Sequence, residues 1–106
     1  MKDEEKGRKH YLFYSDANNV YAYDPVLNTS VVTLVTGLIS IRDIVVDLRK
    51  KWLFVNDFNA TSGVGTVHRY TLVTNFTNIL KPTLSINSTL TTVVYTGKEV
   101  TGISVD

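Results

Sequence analysis

The chain contains no cysteine, only two histidines and only two prolines, and it has no apolar run approaching a membrane span. The missing cysteine excludes disulfides, thiolate metal sites and cysteine nucleophiles together. It leaves the redox compartment open, because a β-rich array folds without such staples. A transmembrane helix needs about 20 consecutive apolar residues, and nothing here comes near that length. No stretch keeps a 3.6-residue apolar period over three turns, so helices are not expected either. Nor does one sign of charge dominate. Residues 1–10 hold four basic and three acidic side chains, leaving seven of each for the rest of the chain. A neutral body offers no basic stripe to displace counterions from a phosphate backbone, and nucleic-acid binding is disfavoured. The charged start, Met1 to Lys6, has no apolar stretch after it and does not read as a signal peptide. Gly-x-Ser-x-Gly is absent, and Gly63-Val64-Gly65 neither extends to a phosphate-binding fingerprint nor opens a helix.

What the chain does have is β-strand signal. Its 106 residues, 43% of them hydrophobic, fit one globular unit. Lys9 to Ser15 reads as a strand and Asp16-Ala17-Asn18-Asn19 as a tight turn. Val20 to Tyr23 is the return strand, stopped at Asp24-Pro25. Ser30 to Thr36 is mostly β-branched, and Gly37 breaks it. Ile41 to Asp47 has the near-continuous apolar pattern of a strand covered on both faces. Trp52 to Asn56 follows a polar turn, Asp57 to Gly65 reads as a loop, and Thr66 to Val73 alternates. Asn78 to Ile86 is interrupted by Pro82, Leu90 to Thr96 is a strand candidate, and Gly97-Lys98 turns into Val100 to Asp106.

These strands repeat in order. Leu12 to Asp16 matches Leu53 to Asp57 at an offset of 41, Val20 to Tyr23 matches Val67 to Tyr70 at 47, and Ile41 to Asp47 matches Val100 to Asp106 at 59. Ordered repeats of strand character indicate units that bury their apolar faces against one another. The offset grows between matches, which places insertions at 58–63 and 78–89, rich in Asn, Ser and Thr and expected to be exposed.

The carrying residues of one copy are Ile44-Val45-Val46-Asp47, Lys51 to Asp57 and Gly65 to Tyr70; those of the other are Tyr11 to Asp16 and Val20 to Asp24. The pattern resembles the blades of the YWTD (LDL-receptor class B) β-propellers and is similar to NHL blades. Of the Tyr-Trp-Thr-Asp core only the aspartate is literal, at Asp16 and Asp57. The resemblance implies an all-β fold of antiparallel four-stranded blades, about two of them, in a b-c-d-a-b-c-d-a frame. Strand a would be 41–47, b 51–56, c 65–71 and d between 78 and 96, with a last strand a at the second Asp-ended match. Residues 1–8 would be a disordered charged leader and 9–106 a partial propeller. A frame with broken blades at both ends is expected to be completed by further blades of a parent protein or by copies of itself, a trimer in a six-bladed ring.

Asp16, Asp47, Asp57 and Asp106 recur once per repeat and are expected to be structural, each accepting hydrogen bonds from turn backbone. Asp57 is expected to serve the loop after its strand. His10 and His68 follow no ligand spacing, so no metal and no cofactor are expected. Asn28, Asn59, Asn75 and Asn87 open N-glycosylation sequons, read either as an extracellular signature or as accidents of an Asn- and Thr-rich sequence. Tyr11, Tyr14, Tyr21, Tyr23 and Tyr70 alternate with apolar residues, either as packing or as a protein-binding cluster. The resemblance implies a non-enzymatic segment of a receptor ectodomain that binds a protein ligand, without membrane insertion by this segment. A gluconolactonase-like propeller enzyme holding a divalent cation, or a self-assembling lectin-like propeller that binds sugars, are the alternatives.

Overall fold

The turns decide where the strands lie. In the computed structural model, which describes residues 11–23, 31–75 and 83–105, strand β1 (Leu12–Ser15) returns as β2 (Val20–Tyr23). The Asp16 carboxylate caps the turn between them, accepting the Asn18 and Asn19 amides at 2.9 and 2.8 Å. Strand β3 (Val32–Val35) pairs with β2, with a bulge at Val20/Tyr21. The link to the next strand turns at Gly37, whose φ of 77° is open to glycine. It then lies along the first hairpin: Leu38 N–H donates to Asn18 O and Ile41 N–H to Ala17 O.

Four strands follow as a meander: β4 (Ile41–Asp47), β5 (Trp52–Asn59), β6 (Val64–Asn75) and β7 (Thr83–Gly97). The chain is all-β, and the described residues form two antiparallel sheets of order β1-β2-β3 and β4-β5-β6-β7. At the β4–β5 turn Asp47 Oδ1 accepts the Arg49 and Lys50 amides, and Lys51 takes a left-handed φ of 61°. At the β5–β6 turn Asn59 Oδ1 accepts the Thr61 and Ser62 amides, and Gly63 supplies a φ of 76°.

The two sheets stack face to face. Strand alternation places Phe13, Val20 and Ala22 of the first sheet against Ile44, Val46, Leu53, Val55, Tyr70 and Leu72 of the second, with Val35 and Leu84 closing the cluster. Contacts between β1 and β4 and between β3 and β7 join their margins. Leu53 and Val55 are fully buried. Truncating such a leucine to alanine costs about 2–5 kcal/mol.

The structure corrects the sequence reading in several places. Strand β5 runs through Asp57 and Phe58 to Asn59, because the Ser40 carbonyl accepts the Phe58 amide and β6 continues the ladder to Val64. Residues 83–89, expected as part of an exposed insertion, belong to β7; 83–87 pair with β6, and Leu84 is buried. The closing strand expected at Val100 to Asp106 is not one: residues 100–105 belong to no sheet. Their polar backbone is tied to side chains instead of to a neighbouring strand. The Val100 carbonyl accepts from Asn56 Nδ2, and the Ile103 amide donates to Asp43 Oδ2 at 3.0 Å. Residues 1–10 with the expected leader, Asn28, most of the 78–89 insertion's first half and Asp106 lie outside the described residues.

Candidate functional site

Matched positions occupy matched places in the stack, and this defines two open faces. Phe13, Val20 and Ala22 face the second sheet; their counterparts Phe54, Val67 and Arg69 share the second sheet's far face. Leu12 and Tyr14 lie on the far face of the first sheet, and their counterparts are the buried Leu53 and Val55. The difference in environment is complete: Leu53 and Val55 are 0% exposed, Leu12 is 56% and Tyr14 39% exposed. The sheets therefore stack head to tail, each with one used face and one open one.

The open face of the first sheet is aromatic. Tyr14 and Tyr21 are cross-strand partners with ring centroids 5.3 Å apart, and Tyr23 pairs with Leu12. The Tyr21 hydroxyl donates to Asp16 Oδ2 at 2.6 Å. That bond, followed by those from the Asn18 and Asn19 amides, lowers the Asp16 pKa to about 2 from the ordinary 3.8, and raises that of Tyr21.

The open face of the second sheet carries Trp52, Phe54 and Arg69. The Arg69 guanidinium sits 4.4 Å from the Trp52 ring centroid, within cation–π range, and Trp52 meets Phe54 edge-on. Residues 100–105 cross this face and leave an apolar cleft of about 170 Å³ lined by Val45, Phe54, Val67, Ile103, Ser104 and Val105. Asn56 Oδ1 and Arg69 Nε, both buried on this side, have no hydrogen-bond partner among the described residues. Groups of that kind cost free energy until something supplies the partner.

The three described repeat aspartates, Asp16, Asp47 and Asp57, act at separate places and do not converge. Asp16 and Asp47 cap the turns described above. Asp57 is 5% exposed. It accepts from the connection that precedes its sheet: Ile39 N–H reaches both its oxygens at 3.1 Å and Ser40 N–H reaches Oδ1 at 2.6 Å. The expected partner, the loop after the strand, is thus replaced by one 17 to 18 residues upstream. The fourth aspartate with a structural role is Asp43, which the repeat did not single out because it aligns with Gly102. Its carboxylate accepts Ile44 N–H at 2.9 Å and Ile103 N–H at 3.0 Å, and those two residues are themselves repeat counterparts.

Asn59, Asn75 and Asn87 all lie within strands, with Asn59 Oδ1 holding the β5–β6 turn and Asn87 opposite Thr71. Asn59 and Asn87, expected in the 57–65 loop and the 78–89 insertion, thus belong to β5 and β7. His68 stands on the buried side beside Tyr70, centroids 5.9 Å apart. Burial lowers its pKa, opposed by the Asp57 charge, and burial raises that of Tyr70.

Among the described residues no three His, Cys, Asp or Glu side chains could together hold a metal ion. No helix formed by them is long and apolar enough to cross a membrane. A third exposed feature is the outer strand β7, which pairs only with β6 among the described residues and exposes Val93, Val94 and Tyr95 in succession. No protein-family model matches this chain, and neither a curated protein nor a solved structure does.

Proposed function

We propose that the two sheets are consecutive blades of a β-propeller of the YWTD or NHL kind, and that the protein is a non-enzymatic platform for a protein ligand. Head-to-tail stacking of matched positions supports the blade reading: a radial array needs each unit to present one face forward and one back. The observation that carries the binding reading is the exposed row Val93, Val94 and Tyr95 on the outer strand β7. An edge strand with unpaired backbone groups and apolar side chains invites an extended segment of another protein to add as a further strand. The sequons Asn59, Asn75 and Asn87 support an extracellular setting.

A photo-reactive amino acid at Tyr95 tests this. The expected result is a discrete protein adduct from extracellular fluid or cell surface, lost when Val93→Lys places a charge in the row. Absence of a protein adduct overturns the reading. Retention on a glycan array instead favours the lectin alternative, and a stoichiometric divalent cation in the purified protein favours the enzyme.

A further inference from the structure

The β4–β5 pairing predicts a contact between copies. In that ladder Ile44 stands opposite Val55, Val45 opposite Phe54 and Val46 opposite Leu53. Both strands have counterparts elsewhere in the chain: β4 matches residues 100–106 at +59, and the start of β5 matches β1 at −41. Those two counterparts are not paired with each other. Residues 100–105 belong to no sheet, and β1 has β2 as its only strand neighbour among the described residues. Among the described residues, one has ladder positions to offer and the other has an edge to receive them.

We propose that copies of this chain join head to tail, residues 100–105 of one copy adding as a strand beside β1 of the next. Carrying the offsets across gives the register: Ile103 opposite Tyr14, Ser104 opposite Phe13 and Val105 opposite Leu12. The contact repeats one the fold already makes, because strand 41–47 sits at the margin of its own sheet while its face packs on the sheet before it. Residues 100–105 already lie on the far face of the second sheet, held there by Asp43 and Asn56. The incoming first sheet then brings its open face, Leu12, Tyr14, Tyr21 and Tyr23, onto Phe54, Val67 and Arg69. Leu12 and Tyr14 become buried as Leu53 and Val55 are. Tyrosine hydroxyls are donors suited to Asn56 Oδ1, which has none among the described residues. Charge does not oppose the contact, since the two faces carry Arg69 on one side and Asp16 on the other.

The second copy is favoured over an unrelated partner because the receiving face and the arriving face are counterparts of an interface present in this structure. A heterologous contact of this kind closes into a ring or continues as an open array according to the rotation it imposes. The inference rests on the repeat and is independent of what binds β7.

Light scattering on the unmodified chain tests it first. The expected mass is a multiple of 11.9 kDa that falls toward the monomer on dilution, and Tyr14→Lys should shift the midpoint of that dissociation to at least tenfold higher concentration. Cysteine pairs test the register, as the chain has none of its own. Leu12→Cys with Val105→Cys should oxidise into covalent multimers, while Leu12→Cys with Ser104→Cys, slipped by one residue onto opposite faces, should not. A monomer at every concentration, a bond that closes within one copy, or equal oxidation of the slipped pair overturns the proposal. Should a cysteine variant fail to fold, the mass of the unmodified chain decides alone.

Discussion

Asp43 accepts the amide proton of Ile103 across 60 positions of sequence, N to Oδ2 3.0 Å. The same carboxylate accepts the amide of Ile44, which matches Ile103 in sequence at an offset of 59. One side chain thus fixes the backbone amides of two residues that the sequence sets against each other. Apart from the Arg42–Glu99 ion pair, which is exposed on both sides and contributes little, the bond from Asn56 is its main polar companion along this segment.

Asp43→Ala should therefore release residues 100–105 from the sheet. Hydrogen bonds to a charged group contribute about 1.5–3 kcal/mol each. Amide exchange at Ile103 should quicken by one to two orders of magnitude while Leu53 and Val55, in the core ladder, keep their protection. Unchanged exchange at Ile103 would show that the carboxylate does not hold it.

Asp57→Ala should lower stability by about 1–3 kcal/mol, because Ile39 and Ser40 lose the acceptor that satisfies their amides. Asp57→Asn keeps one acceptor oxygen and should cost less. Thermal melts of the two variants check the order, and an alanine variant as stable as the parent would refute the assignment.

The Asp16 carboxyl should titrate near 2 in the folded protein. Its stabilising effect on the first turn is present above its ordinary value of 3.8 and is lost as pH falls through about 2. Tyr21→Phe removes the largest cause of the shift, so the carboxyl midpoint should move up toward the ordinary value. Carbon-detected NMR titration of the side chain reads this directly. A midpoint unaffected by the substitution would place the cause elsewhere.

For His68 the sign is the reverse of the common case for a histidine gaining a partner. Burial disfavours the imidazolium in the folded state, so the unfolded chain takes up the proton first. Stability should be intact above the ordinary value of 6.5 and should weaken as pH falls from there toward the lower folded value. In His68→Gln that part of the pH dependence, which sets in as pH falls below the ordinary value of 6.5, should vanish from the melting profile.

Much of the strand pattern could be read from sequence because it depends on local alternation. Strand β4 has the bounds that its apolar run indicates, Ile41–Asp47. What could not be read depends on distant partners. Asp57, Phe58 and Asn59 look like loop, yet Ser40 and β6 draw them into the ladder, and the buried carboxylate is tolerated because two upstream amides meet it. Residues 100–105 carry a strand pattern, but a strand also needs a neighbour, and side chains of Asp43 and Asn56 took that place. Of the site, the aspartate caps at Asp16 and Asp47 were legible from turn chemistry, whereas Asp43 was hidden by its alignment with Gly102. The tyrosine alternation did not reveal which rings are packed; only the stacking order of the sheets separates Tyr14 from Tyr70.

The meander order has a consequence for the sequence of folding events. Each ladder joins neighbours along the chain, so the sheets close short loops and incur little entropy before their first contacts form. The bonds from Asp43 to Ile103 and from Asn56 to Val100 span 60 and 44 positions and can only follow once the second sheet exists to receive them. They are expected to be absent at the folding barrier. Severing them should speed unfolding while leaving the folding rate nearly unchanged, so residues 100–105 act as a late latch on the native state's lifetime.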